Sequence, residues 1–383
     1  MESKLWVPNI DDLQGFSDEI KKIFIPDLDI YDCIANIENV KIAHKFARKR
    51  KSKYKCVKKV DQNPKILENL AQALKNETYK IGPYKVENLK DRKKERTLLK
   101  LEYPDRIVQW AIMLHLELPF MRAFHPFSCA SIKERGIDRA FNYTKSLVDM
   151  PEYSHILKID IEKFFQSIDH EILKTRLLEI PEIRNSQRTQ NLIFHIIDST
   201  NGIKGSGLET HKGVPIGSYV SQYFANLYLT PLDNFLESQD FKFVRYMDDV
   251  IIFGKPKELC ELKYFLRDSF VPSLKLNLKH NYQVYNIDAE GIDFVGYRFY
   301  RNYQKIRKST AYRARKNLNS KNAPSYYGIA KRSKSRGLIE KYFDFGFVKK
   351  FLEPAKFHYS EKLQIPSLAD SKQKILSNHT PMF

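Results

Sequence analysis

Cysteine is scarce in this chain. The four residues Cys33, Cys56, Cys129 and Cys260 are scattered and never fall at the close spacing of a metal finger. That argues against a disulfide-braced fold and fits the reduced thiols of a cytoplasmic protein. Long hydrophobic runs are missing too. No apolar stretch reaches the roughly 20 residues that cross a bilayer, and the start, Met1-Glu2-Ser3-Lys4-Leu5-Trp6, lacks the basic-then-apolar pattern of a secretion signal. A membrane partner is therefore not expected. Internal repeats, collagen-like periodicity and proline-rich tracts are absent. Acid is in deficit: 46 Asp and Glu against 65 Lys and Arg leave a net charge of +19. So basic a chain points to a polyanionic partner, nucleic acid first.

What is present is a substantial apolar complement, 42% of 383 residues, enough for two or three packed subdomains. Within it lies Tyr246-Met247-Asp248-Asp249, flanked by the apolar β-type runs Phe243-Val244-Arg245 and Val250-Ile251-Ile252-Phe253. Adjacent carboxylates at a turn between buried strands repel each other and are penalised by burial. A divalent cation relieves both costs, and hard oxygen ligands suit Mg²⁺ or Mn²⁺. Upstream, Ile156, Leu157, Ile159 and Ile161 predict a buried strand that Asp160 interrupts. If the strands are neighbours, Asp160, Asp248 and Asp249 make the carboxylate set of two-metal phosphoryl transfer. Taken singly, the Asp pair also fits an Asx-type turn, and Asp160 a paired structural carboxylate.

Along the chain, residues 1–30 are mixed and read as an N-terminal extension. Residues 31–75 carry helical periodicity, with a dense basic run at 44–55. A β-hairpin is expected over 76–103, its turn signalled by Tyr79-Lys80-Ile81-Gly82-Pro83-Tyr84. Further helices are predicted over 104–124, 170–180, 186–200, 218–238 and 258–271, with a glycine-bearing loop from Thr200 to Gly207. Beyond residue 305 the chain is basic, aromatic and helical in period.

Several blocks occur in the order found in reverse transcriptases. They are Arg96, Pro104–Gln109, Phe127–Gly136, the Asp160 strand, Lys212-Gly213-Val214-Pro215-Ile216-Gly217 running on to Ser221-Gln222, the Asp-Asp hairpin and Phe294-Val295-Gly296-Tyr297. From about residue 30 to 345 the chain resembles bacterial enzymes of the group II intron and retron superfamily. The Ile-Gly-x-x-x-Ser-Gln form of Ile216–Gln222 is similar to that of diversity-generating retroelement and defence-associated members. The resemblance implies an α+β right-hand polymerase. Fingers and palm (antiparallel sheet with helices) would occupy residues 31–304, a helical thumb 305–353 and a C-terminal tail 354–383.

The same resemblance implies roles. Asp160, Asp248 and Asp249 would be catalytic and bind metal, with the Ile161 backbone carbonyl completing one ion's shell. Lys94, Arg96 and Lys133 would meet the incoming triphosphate. Phe165, five residues after Asp160, would lie under the sugar and exclude a 2′-hydroxyl. Ile216, Gly217 and Gln222 would face the templating pair, and Phe294, Val295, Gly296 and Tyr297 would form the primer grip. Lys331, Arg332, Lys334 and Arg336 would bind nucleic-acid phosphates. Two blocks depart from the pattern: Ile132 stands where an Arg is expected, and a usual lysine pair is reduced to Lys279 and His280.

The expected activity is RNA-templated synthesis of DNA from deoxynucleoside triphosphates, primed by a nucleic-acid or protein hydroxyl. The partners would be an RNA template, in particular a structured non-coding RNA, and the DNA product, with an accessory protein or a second copy of the chain as further candidates. The setting would be antiphage defence or, alternatively, diversity generation by mutagenic cDNA. A nucleic-acid-binding scaffold on a decayed polymerase fold is the rival class. Past residue 300 the spread carboxylates of a ribonuclease H are not seen, so no nuclease is expected.

Overall fold

The computed structural model describes residues 29–91, 94–319 and 322–333, and the chain divides into two compact units between Gln304 and Lys305. Among the described residues four helices come first: α1 (Ile30–Ala35), α2 (Ile37–Ala47), α3 (Lys55–Gln62) and α4 (Lys65–Lys75). Asn36 separates the first two. Its backbone is extended and its side chain caps α2 by accepting from the Glu38 amide. The basic run predicted as one helical stretch is thus split, with residues 48–54 turning between α2 and α3.

β1 (Lys85–Asp91) and β2 (Lys94–Lys100) form an antiparallel hairpin with Asp91 opposite Lys94. The strands therefore close between Asp91 and Lys94 and not at 79–84, where Gly82-Pro83 signals a turn. A buried carboxylate overrides the local signal. Asp105, 4% exposed, accepts from the Tyr79 hydroxyl at 2.7 Å and the Gly82 amide at 3.1 Å, so the segment is drawn against the body. Asp105 lies on α5 (Tyr103–Ala123), a 21-residue helix that runs through the core. The fully buried Asn39 ties α2 to it by donating to the Ala111 carbonyl at 3.1 Å.

Next come α6 (Gly136–Val148), β3 (His155–Asp160), α7 (Phe164–Ser167), α8 (His170–Leu177), α9 (Pro181–Arg184) and α10 (Gln187–Asp198). The helix predicted over 218–238 is two, α11 (Ser221–Tyr228) and α12 (Thr230–Ser238). The break falls just before Pro231, which sits in the first turn of the second helix and has no amide hydrogen to continue the first. After them lie β4 (Lys242–Tyr246), β5 (Asp249–Gly254), α13 (Pro256–Phe265), continued by a π-turn over Leu266–Phe270, and β6 (Gln283–Asn286).

The central sheet has the order β4-β5-β3-β6 and is antiparallel throughout. Period two sorts its faces. Leu157, Ile159, Val250 and Ile252 join the main core with Leu173 and Leu177 of α8 and Leu259 and Leu262 of α13. The alternate positions carry Lys158, Asp160 and Asp249. A separate hairpin, β7 (Ile292–Phe294) and β8 (Tyr297–Tyr300), is closed by Val295 and Gly296, both at positive φ, as two-residue hairpin turns require. β9 (Tyr303–Ile306) runs into the second unit, which holds α14 (Lys308–Asn317) and α15 (Ala323–Lys331). Among the described residues no helix is long and apolar enough to cross a membrane.

Candidate active site

Tyr246 pairs with Asp249, so the β4–β5 turn consists of Met247 and Asp248 alone. Met247 has φ +60°, a left-handed conformation that costs a side-chain-bearing residue about 1–2 kcal/mol. Arg245 holds it there. Its Nη1 donates to the Met247 carbonyl at 3.2 Å, and its Nε and Nη2 make a bidentate pair with Asp233 at 2.7 and 2.6 Å. The remaining donors reach Asn226, at Oδ1 and at the backbone carbonyl, both at 3.2 Å. Arg245 and Asp233 are fully buried.

The Arg245 backbone is also engaged. Its amide donates to Phe127 and its carbonyl accepts from Cys129, which docks the Phe127–Gly136 block on the hairpin. Sequence reasoning assigned nothing to Arg245, Asp233 or Asn226. The available signal was an arginine inside the apolar run Phe243-Val244-Arg245, because a strand cannot bury that charge without an acid.

Asp160 lies directly opposite Asp249 across β3 and β5, and Asp248 is next to it on the turn, so the three carboxylates meet at one end of the sheet. Two lysines face them. Lys279 bonds Asp160 and lies 3.8 Å from Asp248 Oδ2. Lys158 is 3.3 Å from Asp249 Oδ1 and donates to the Asp293 carbonyl at 2.5 Å, linking the carboxylates to β7. Burial, and then the Asp160 charge, push the Asp248 carboxyl up to about 6.

The loop carrying Lys279 is clasped to β3. Its amide donates to the Asp160 carbonyl at 2.8 Å, and Glu162 donates to Asn277 at 2.8 Å. Ile161, fully buried, donates to the Asp248 carbonyl at 3.4 Å. The donor set fits a hard divalent cation. It is all oxygen, two of its members repel each other, and the cationic Lys279 already stands between them.

Phe164 and Phe165 point differently: Phe164 is 2% exposed in the core, and Phe165 is half-buried. The Phe165 carbonyl accepts from the Val214 amide at 2.9 Å, and Ile168 accepts from Gly213 at 2.7 Å, so α7 and the Gly213–Gln222 block are brought together. Gly213 is required there. A Cβ would come 2.5 Å from Leu208 Cδ2 and 3.1 Å from the Gln166 carbonyl oxygen. Ile216 is half-buried, while Gly217, at φ +103°, and Gln222 are exposed. Gln109, which the motif contains but to which no role was assigned, fixes this block by accepting from Ser218 Oγ at 2.8 Å and the Tyr219 amide at 3.0 Å.

In the Phe127–Gly136 block, Ile132 is buried at 4% exposure and Lys133 is exposed. Arg135 supplies the cation inside this loop, donating to the carbonyls of His125, Ser128 and Met121. Lys94 and Arg96 lie on β2, but their side chains fall outside the described residues. Phe294 and Tyr297 are buried and flank the Val295-Gly296 turn. In the second unit, Lys331 and Arg332 are exposed at the end of α15; Lys334 and Arg336 lie outside the described residues.

The family model of the reverse transcriptase (RNA-dependent DNA polymerase) matches residues 85–299. The α+β body is the fingers-and-palm fold of that class. The chain belongs to the reverse transcriptase family, whose members use divalent metals. It is similar to the group II intron-encoded protein LtrA of Lactococcus lactis subsp. cremoris, 27% identical over 182 residues. That stretch covers 47% of this chain and 29% of LtrA, so the chain spans under a third of the relative's length. Among solved structures, telomerase from Candida albicans with a TWJ fragment of telomeric RNA overlaps at TM-score 0.48 and 13% identity, over 74% of this chain and 58% of that one. Apo telomerase from Candida tropicalis overlaps at TM-score 0.48 and 15% identity, over 65% and 53%.

Proposed function

We propose that this chain is an RNA-directed DNA polymerase that extends a primer with deoxynucleoside triphosphates on an RNA template. The observation that carries the reading is the meeting of Asp160, Asp248 and Asp249 at one end of the sheet, opposite a lysine that a cation can replace. These carboxylates, with the Ile161 carbonyl, would hold two Mg²⁺ ions. When bound, the ions would lower the pKa of the primer 3′-hydroxyl and neutralise charge on the transferring phosphate. Lys279 would release Asp160 and Asp248 as they take up that role. Lys158 would keep Asp249 oriented and ties it to β7, whose end enters the Phe294–Tyr297 turn that would position the primer end.

Phe165, half-buried, would lie under the sugar and shut out a 2′-hydroxyl. The triphosphate would meet Lys94, Arg96 and Lys133. Gly217 and Gln222 would contact the nascent pair together with Ile216. The second unit would act as the thumb, with Lys331, Arg332, Lys334 and Arg336 on backbone phosphates. The net charge of +19 supports a nucleic-acid partner. We infer further that a structured non-coding RNA is the template, in antiphage defence. A mutagenic role in a diversity-generating element is the second reading, favoured by an alkyl group, Ile216, beside the glycine that would face the new pair.

Primer extension on an RNA template tests the reading. Replacing Asp248 and Asp249 together with Ala should remove incorporation by at least about a hundredfold, the loss of several kcal/mol of charge stabilisation, while RNA binding persists. Undiminished extension would sink the assignment. With the same assay, Phe165→Ala should raise ribonucleotide relative to deoxynucleotide kcat/KM; an unmoved ratio places the sugar gate elsewhere.

A further inference from the structure

A second cluster of ligating side chains stands on different elements from the three carboxylates. His170 is the first residue of α8, Asp198 the last of α10, and His211 lies in the segment between α10 and α11. One ligand atom from each lies within 4.8 Å of the other two. His170 is fully buried, and its Nε2 is 2.9 Å from the Gly213 carbonyl oxygen. A carbonyl only accepts, so Nε2 carries hydrogen and, in the neutral ring, Nδ1 presents its lone pair. That Nδ1 is buried without a hydrogen-bond partner and faces Asp198 Oδ1 at 3.5 Å.

An imidazole lone pair and a carboxylate oxygen facing each other repel unless a cation lies between them. Lys174 neutralises Asp198 from the side, with Nζ 3.0 Å from Oδ1, but it also bonds Glu171 at 3.1 Å and gives Nδ1 nothing. The third member is held in place by its backbone. The His211 carbonyl accepts from the His170 amide at 3.0 Å, and its amide donates to Asn201 Oδ1 at 2.7 Å.

We propose that His170 Nδ1, a carboxylate oxygen of Asp198 and a ring nitrogen of His211 bind a single transition-metal cation of the Zn²⁺ type. Two imidazoles and one carboxylate leave a fourth, tetrahedral position to water. Imidazole donors select such an ion over Mg²⁺. The bond from His170 Nε2 to Gly213 is the outer contact that metal-ligating histidines make to fix their ring. The ion would pin the segment between α10 and α11 onto α8 and α10, and through the Gly213 carbonyl it would set the entry to the Gly213–Gln222 block. The site does not depend on the polymerase reading.

The test uses the full chain, stripped with a chelator and titrated with Zn²⁺ in excess Mg²⁺, so that the hard carboxylate sites are already filled. Affinity is read by competition with a chromophoric chelator, and stability by Tm. Zn²⁺ should raise the Tm of the unsubstituted chain. In His211→Ala and in Asp198→Asn that rise should vanish and Zn²⁺ affinity should fall by at least about tenfold. His211 is exposed, so its variant should keep the metal-free Tm, which separates lost binding from lost folding. A plain His–Asp ion pair would give no Zn²⁺-dependent Tm rise, or equal affinity in all three proteins, and either result overturns the proposal.

Discussion

The β4–β5 hairpin carries charge in two places, built on opposite terms. Behind the turn, Arg245 and Asp233 are fully buried, bidentate at 2.6 and 2.7 Å, and the guanidinium's other donors are taken up by Asn226 and Met247. At the tip, Asp160, Asp248 and Asp249 are 24–33% exposed and outnumber the two lysines facing them, and burial, then the Asp160 charge, push the Asp248 carboxyl up to about 6. A buried charge whose partners are complete can only hold geometry. A surplus of acid beside water can accept an ion. Placing the two three residues apart lets one orient the other, because Arg245 grips the Met247 carbonyl that aims Asp248.

Breaking the closed pair should have the largest effect on stability. Asp233→Ala leaves a guanidinium buried without its carboxylate and should cost about 3–5 kcal/mol, read as a lower denaturant midpoint. Arg245→Met combined with Asp233→Leu should recover most of that loss, since apolar pairs of similar volume replace buried ion pairs well. Primer extension should stay impaired in the double variant, because the left-handed Met247 has lost its donor. If the double variant regains both stability and extension, the pair fills space and does not orient the turn.

A third buried polar group shows what happens when partners are incomplete and no counter-charge is near. His115 on α5 has a buried Nε2 without a hydrogen-bond partner, and burial holds its pKa down near 4. The unfolded chain takes up this proton below about pH 6.5, whereas the fold resists it until about 4. The neutral ring's contribution is therefore fully present above that range and is lost as pH falls through it. Across the window the loss amounts to about 3 kcal/mol. Denaturant unfolding of His115→Phe at neutral and acid pH should show a shallower decline than the unsubstituted chain. An identical decline would assign the acid sensitivity to other groups.

The elements that local pattern controls were legible. β3, β5 and the two-residue turn follow from alternating apolar residues around Asp160 and Asp248, and α5 and α10 fall within two residues of their expected ends. The misses have tertiary causes. The hairpin does not close at 79–84, and its strands pair up to Asp91 and Lys94, because Asp105, more than 20 residues away, collects the donors of Tyr79 and Gly82. The Arg245–Asp233 pair joins a strand to a helix 12 residues upstream, a separation no period predicts. At the site, the adjacent acids Asp248 and Asp249 announced a need for positive charge but not its source. Lys279 read as the remnant of a lysine pair, and only the fold lays it on Asp160.

That lysine offers the smallest and sharpest test of the contrast between the two clusters. Lys279 is 32% exposed, so its ion pairs with Asp160 and Asp248 are worth only about 0–1 kcal/mol. Without metal, Lys279→Met should lower Tm slightly, since one more carboxylate charge goes uncompensated. With Mg²⁺ the order should reverse. A cation that binds only the folded state stabilises in proportion to its affinity, and in the variant it no longer competes with an ammonium for the same oxygens. The Mg²⁺-induced rise in Tm should therefore be larger in Lys279→Met than in the unsubstituted chain. In Asp233→Ala no Mg²⁺ effect beyond that of the unsubstituted chain is expected, because the charge left behind there is positive and sealed from solvent. Equal Mg²⁺ shifts in Lys279→Met and the unsubstituted chain would mean that the lysine does not stand in a cation's place, and the tip would then be a second closed cluster like the one behind it.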